Sequence, residues 1–252
     1  MSGHSKWATT KHRKAAQDKK RSAQFSKLSR IITVAAKTGG DPNPDNNATL
    51  AAAIAKAKTY SLPKDKIQVA IDKAFSAGAD AANFEEVVYE GYGPAGVPLY
   101  IEALTDNRNR TAADVRAAFT RAGGNLGASG SVAFQFERKG EISIDAKGAP
   151  DEDELFMLVA DAGGEDLEVG GEEVLVYTAP GEMMRVKAAL EGAGLPVKGA
   201  EFVMEPVNPT EVTVEDVKKV MRLVDRLEEL DDIQSVYHTM ELTDEIAAAL
   251  DE

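Results

Sequence analysis

Residues 4–14 gather cationic and ring chemistry into one short arm: His4, Lys6, Trp7, Lys11, His12, Arg13 and Lys14. Lysine and arginine neutralise phosphates and release the counterions condensed on a polyanion. Trp7, the only tryptophan, offers a face on which an unpaired base can stack, typically worth about 1–3 kcal/mol. The same ring could instead anchor the arm to its own domain, and the two roles can coexist. His4, His12 and His238 have no zinc-like spacing, and the chain has no cysteine. That excludes thiolate zinc, iron–sulfur clusters, disulfides and a cysteine nucleophile. No metal site and no cofactor are expected.

A second candidate is Thr105-Asp106-Asn107-Arg108-Asn109-Arg110-Thr111, placed between a strand pattern and a helix pattern. Arg108 and Arg110 there suit phosphate contact, helped by the free N–H groups of a helix start. Thr111 or Asn109 could equally be the helix cap, with Asp114 at capping-box distance from Thr111. The glycines of Glu90-Gly91-Tyr92-Gly93-Pro94-Ala95-Gly96 permit a tight turn, but no Gly-Lys-Ser/Thr follows and the next element reads as a strand. The run is therefore neither a P-loop nor a dinucleotide fingerprint. The run Gly123 to Ser131 is closer in composition to a phosphate cradle, but it precedes a strand and is expected to be a plain flexible connection. No Gly-x-Ser-x-Gly elbow occurs. Glu152-Asp153-Glu154, Glu172-Glu173 and Glu228-Glu229 read as solvated faces and helix starts. No constellation supports an enzyme.

The elements that must position these residues follow from periodicity. No Pro or Gly interrupts Lys11 to Lys37, and Phe25, Leu28, Ile31, Ile32 and Ala35 keep to one helical face. Lys19, Lys20, Lys27 and Arg30 fall largely off it. An alanine-rich helix is expected over 45–60, and a third over 64–77 with Pro63 as its first helical residue. Strands are expected at Val87–Tyr89, Val97–Leu104, Val132–Phe136, Glu141–Ile144, Asp166–Val169, Val174–Tyr177, Val197–Met204 and Ser235–Met240. Helices are expected at Thr111–Ala122, Glu152–Asp161, Met183–Glu191 and Val214–Leu230. The repeated order helix, turn, strand points to α/β sandwich units with antiparallel or mixed sheets, ferredoxin-like in packing.

The 252 residues suffice for more than one domain, and 43% hydrophobic with 28% charged residues is ordinary globular composition. The net charge of −13 hides a strong polarity. Residues 1–37 hold ten Lys/Arg and one acid, Asp18, whereas residues 141–252 hold eight bases and 29 acids. One end is built to meet a polyanion while the rest repels it. The bland alternative is a solvated basic helix beside an acidic body. No apolar run is long enough to span a bilayer and no apolar leader follows Met1, so a cytoplasmic protein without a membrane partner is expected.

Several motifs occur in a fixed order: Gly3-His4-Ser5-Lys6-Trp7, Lys11-His12-Arg13-Lys14, Tyr89-Glu90-Gly91-Tyr92-Gly93-Pro94, Thr105 to Thr111, Gly123-Gly124-Asn125-Leu126-Gly127, and Leu230-Asp231-Asp232 with Val236-Tyr237. Together they closely resemble the YebC family, which includes relatives of a bacterial quorum-sensing regulator and the mitochondrial translational activators of cytochrome oxidase. The resemblance implies an α+β fold: an N-terminal helical domain, then two α/β sandwich (ferredoxin-like) domains, the third inserted in the second. Carried onto this chain, it implies 1–80 as the helical domain, 81–136 with 208–245 as the second, and 137–207 as the third. It also implies a nucleic-acid partner and no chemistry.

Three functions remain open. The first is a DNA-binding transcriptional regulator. The helices expected at 45–60 and 64–77 superficially resemble helix-turn-helix, but only Gln68 on the latter is a usual reader of base edges. The second is a ribosome- or RNA-associated translation factor, for which a basic helical end with one aromatic is well suited. The third is an acidic protein-interaction adaptor. The contacts expected for nucleic acid are Lys6, Trp7, Lys11, His12, Arg13, Lys14, Arg108 and Arg110, on a monomer with no small-molecule substrate.

Overall fold

The computed structural model describes residues 17–76, 84–241, 243 and 246. Helix α1 (Gln17–Gly39) buries Leu28, Ile32 and Ala35 and half-buries Phe25 and Ile31, the expected face. It ends where Gly40 turns left-handed at φ +70°, a conformation glycine adopts without strain. Asn47 caps α2 (Ala48–Thr59) by accepting from the Leu50 N–H. Its amide also donates to the carbonyls of Ala35 and Asp41, so one side chain fastens the end of α1 to the start of α2. Pro63 stands at the cap of α3 (Lys64–Phe75), one residue outside the helix rather than first within it. Leu50, Ala53, Ala57, Leu62, Ile67, Ala70 and Ile71 fill the core of this helical unit.

Next come β1 (Glu85–Tyr92), β2 (Pro98–Thr105), α4 (Arg108–Ala122) and the two-residue β3 (Asn125–Leu126). The chain then builds a second unit: β4 (Phe136–Asp145), α5 (Glu152–Ala162), β5 (Asp166–Val169), β6 (Glu173–Thr178), α6 (Met183–Gly192) and β7 (Val197–Pro206). It returns through α7 (Val214–Glu228) to β8 (Ile233–His238). One sheet has the order β3-β1-β2-β8 and the other β5-β6-β4-β7, with every strand pair antiparallel. The fold is thus α+β, with the second sheet unit inserted in the first.

Alternation explains the layers. Leu99, Ile101 and Ala103 of β2 are buried in one core with Phe119 of α4 and Leu223 of α7, while Tyr100 and Glu102 point the other way. Ile142 and Ile144 of β4 share a core with Leu155 of α5 and Val186 of α6. The strand expected at Val132–Phe136 is instead a 3-10 turn over Ala133–Gln135, and the strand starts at Phe136. Its early N–H groups bond to a side chain, described below, so no ladder can form there. Helix α4 starts three residues earlier than expected, and β8 ends at His238, with Met240 reached only by an isolated bridge to Thr210.

The helix-free faces of the two sheets meet. Tyr100 and Tyr237 of the first pack with Phe136, Val203 and Met204 of the second. The helical unit closes this junction. The Lys56 ammonium lies 2.6 Å from the Glu201 carboxylate, and the Tyr60 hydroxyl donates to Glu201 at 3.3 Å. Gly199 on β7 must lack a side chain, because a Cβ there would run into Thr59 of α2. Glu141 on β4 stands directly across the ladder from Glu201, a like-charge pair. Burial, then Glu201, pushes the Glu141 carboxyl up to about 8. Burial also raises Glu102, and Lys56 opposes that rise. For Lys56 burial works downward, but Glu201 overrides it and the net shift is upward.

A raised carboxyl contributes stability that is complete below its ordinary pKa of 4.5 and is lost as pH climbs through about 8. Glu141→Gln should therefore flatten the decline in urea midpoint over that range. An unchanged pH profile would detach Glu141 from the effect.

Candidate nucleic-acid interface

Thr105 ends β2 and Arg108 begins α4, so the expected arginine loop sits at a helix start. The cap is Asn107, which is extended at φ −149° and accepts from the Arg110 N–H at 3.1 Å. This corrects the assignment to Asn109 or Thr111. Thr111 lies inside the first turn, buried, with its hydroxyl 2.8 Å from Asp232 and 2.7 Å from Thr105. Arg108 is 64% exposed, with its guanidinium 3.6 Å from Glu85. Arg110 is held between Asp106 at 2.8 Å and Asp232 at 2.7 Å, yet keeps about half its surface open at 49%.

Asp232, in the turn between α7 and β8, organises this corner. Its side chain is only 11% exposed. One oxygen accepts from Arg110 and Thr111, and the other accepts from Arg30 of α1 at 3.0 Å. Arg30 also donates to the Asp231 carbonyl at 3.0 Å and lies 5.1 Å from the Phe84 ring. Lys27, one turn earlier, donates to the Glu228 carbonyl at 2.6 Å, at the negative end of α7. Burial works to raise the Asp232 carboxyl, but bonds from Arg110 and Thr111 and the charges of Arg110 and Arg30 hold it below its ordinary value.

The glycine-rich run after α4 is not the flexible connection expected. Glu90 of β1 is buried, and its carboxylate accepts from the N–H groups of Gly130 at 2.6 Å, Val132 at 2.7 Å and Ala133 at 2.8 Å. The Tyr92 hydroxyl adds a bond to the Ser131 carbonyl. Backbone N–H groups do converge on an anion, as the composition suggested, but the anion is the chain's own. Burial works to raise Glu90, and the three backbone bonds override it, so the carboxyl is lowered.

Lys6, Trp7, Lys11, His12, Arg13 and Lys14 lie outside the described residues. The structure brings Arg108 and Arg110 together at one helix start. It spends Gln68, the sole base-edge candidate on α3, on Asp72 of the same helix at 2.8 Å. His238 is fully buried. Among the described residues, no group of three or more His, Cys, Asp or Glu is placed to hold a metal, and no helix is long and apolar enough to cross a membrane. Sequence reasoning missed Lys27, Arg30, Glu90 and Asp232 as organisers. Asp232 and Glu90 were visible only as members of short motifs.

Fold and site together define a class of chain in which a helical unit is clipped by an arginine and a lysine onto two antiparallel sheet units, one nested in the other. Two family models match: the TACO1/YebC protein N-terminal domain over residues 5–77, and the TACO1/YebC second and third domain over residues 84–240. The chain belongs to the TACO1/YebC family. It is 50% identical to a "Probable transcriptional regulatory protein" of Bifidobacterium longum (strain DJO10A) over 252 residues, covering 100% of both chains. It is 49% identical to the "Probable transcriptional regulatory protein YebC" of Escherichia coli O6:H1 over 251 residues, covering 99% of this chain and 100% of that one. The crystal structure of a conserved hypothetical protein from Aquifex aeolicus superposes with a TM-score of 0.84 at 44% identity, covering 94% of this chain and 97% of that chain.

Two substitutions test the corner. Asp232→Asn removes the charge that Arg30 and Arg110 share, and should speed amide exchange in α1 and at the start of α4. The carboxylate's stabilisation is complete above its ordinary pKa of 3.8 and vanishes as pH falls through the depressed value, so the variant should lose that acid-side dependence. Glu90→Gln leaves a buried N–H short of an acceptor and should cost about 1–3 kcal/mol. Faster exchange at Gly130, Val132 and Ala133 would locate that loss.

Proposed function

We propose that the protein is a non-enzymatic, nucleic-acid-binding regulator of gene expression. The observation that carries this reading is charge segregation: ten Lys/Arg against one acid in residues 1–37, and 29 acids against eight bases in residues 141–252. The arm Lys6, Trp7, Lys11, His12, Arg13 and Lys14 makes the main contact, and Arg108 and Arg110 add a second. The acidic body repels the same polyanion and so fixes which end approaches it. The names of its relatives, probable transcriptional regulatory proteins, support transcription regulation as the setting, and on this reading DNA is the partner. On this reading the protein is a cytoplasmic monomer without cofactor or small-molecule substrate.

A second reading, an RNA- or ribosome-associated translation factor, is favoured by one observation. Gln68 is engaged with Asp72, so α3 offers no free amide side chain to read an adenine edge. Binding then rests on phosphates and stacking, which structured RNA supplies as readily as DNA. An acidic adaptor for proteins is the remaining alternative, and it requires no role for the arm.

Replacing Lys11, Arg13 and Lys14 together with Ala should weaken binding and reduce the slope of log K against log salt by about 2–3. An unchanged slope would remove the arm from the site and favour the adaptor. Sucrose-gradient sedimentation of lysate at low and moderate salt separates the other two. Co-migration with ribosomes that fades as salt rises selects translation. Absence from ribosomal fractions even after crosslinking selects DNA, with promoter fragments then expected to outcompete random duplex.

A further inference from the structure

A cleft of about 330 Å³ opens between α2 and the α6/β7 side of the inserted unit. Pro44, Ala51, Ile54 and Ala55 give it an apolar lining, and Lys58, Lys187 and Lys198 give it a cationic one. Its two sides are held at fixed distance by the Lys56–Glu201 ion pair and by the seating of Thr59 over Gly199. It is therefore preformed. Its position is unusual for this chain: residues 141–252 carry only eight bases among 29 acids, and two of the eight come here to meet a lysine of the helical unit.

The lysines are available. Lys187 pairs with Glu191 one turn along its own helix, and Lys198 pairs with Glu173 at 3.0 Å and Asp145 at 3.7 Å. Such partly exposed pairs are worth only about 0–1 kcal/mol, so an incoming phosphate can recruit the ammonium groups at small cost. Lys58 makes no ion pair among the described residues. An apolar surface lined also by three lysines fits a ligand that joins a flat, weakly polar body to phosphate, and the volume is at the lower end for small-ligand pockets, about 300–1,000 Å³.

We propose that this cleft seats one nucleotide of a bound strand, with phosphate on Lys58, Lys187 and Lys198 and sugar or base against Ile54 and Ala55. The proposal rests on the nucleic-acid reading above and extends the interface from the arm and the α4 start to the inserted unit.

The test uses the full chain, a fluorescein-labelled oligouridylate and a labelled DNA duplex, with anisotropy titrations across a range of salt. Lys58→Gln, Lys187→Gln and Lys198→Gln in one variant should lower affinity at least about tenfold at moderate salt and reduce the salt slope by about 2–3. Ala51→Trp fills the apolar wall and leaves the charges in place; it should weaken binding with the slope unchanged. Circular dichroism and melting like those of the parent chain establish that both variants fold. A triple variant with the parent slope, beside an arm variant whose slope falls, would overturn the cleft and leave the wider reading intact. No salt-dependent binding of the parent chain to either probe would overturn both.

Discussion

A carboxylate that is nearly out of water must have its charge met, and Asp232 meets it with donors from parts of the chain far apart in sequence. Arg30 comes from α1, Thr111 and Arg110 from the first turn of α4, and the Asp232 carbonyl itself accepts from the Leu104 N–H of β2. One side chain thereby sets the angle of the helical unit, the start of α4 and the turn into β8. Burying such a pair gains little net stability, because desolvating the ions offsets their attraction. Removing one partner is costly, because the other is left buried and unmet. The arrangement therefore fixes geometry more than it adds free energy. The geometry it fixes includes the two arginines that face solvent beside it.

The same logic operates at the second junction with the signs reversed. There Glu201 pairs with the ammonium of Lys56, Glu102 and Glu141 lie within its field, and burial beside Glu201 pushes the Glu141 carboxyl up to about 8. Two ion-pair contacts thus join the helical unit to the sheet units among the described residues: Arg30 to Asp232 at one, Lys56 to Glu201 at the other. In both, the helical unit supplies the cation and the sheet units supply the anions. Arg30 and Asp232 come from the two oppositely charged stretches of the sequence, so the segregation also orients the helical unit on the sheet units.

Much of this architecture was legible because periodicity was strong. Val217, Val220, Met221, Leu223, Val224 and Leu227 are all buried on α7, and a stripe that regular leaves no other reading. β6 and α6 were equally plain. What was not legible depended on partners distant in sequence. Val132 to Phe136 has the residues of a strand, yet Glu90 takes the N–H groups of Val132 and Ala133 and bends the chain. β3 is two residues long and exists only because Gly91 and Tyr92 lie alongside it. Asn107 won the cap from Asn109 and Thr111 because Thr111 was drawn inward to Asp232, a contact across 121 positions. The nested order of the sheets came from family resemblance, since no local pattern shows which strands pair.

Among the described residues, two places with directional donors for an anion are closed from within. The backbone cradle after α4 holds Glu90, and the inner side of Arg110 holds Asp232. Open to an external polyanion beside them is the outer face of Arg108 and Arg110, and the proposed reading adds the lysines of the arm and the cleft. Lysine ammonium groups are mobile point charges on long stems, and they meet phosphate without demanding a particular orientation. An interface made mostly of such groups gains affinity from counterion release and carries little information about base sequence. Any selectivity must then come from the shape of the nucleic acid that can reach the arm, the α4 start and the cleft together while staying clear of the acidic body. That places the determinant in the spacing of these cationic points across the clipped units. On that proposed reading, the geometry fixed by Asp232 and by Lys56 is what recognition would require.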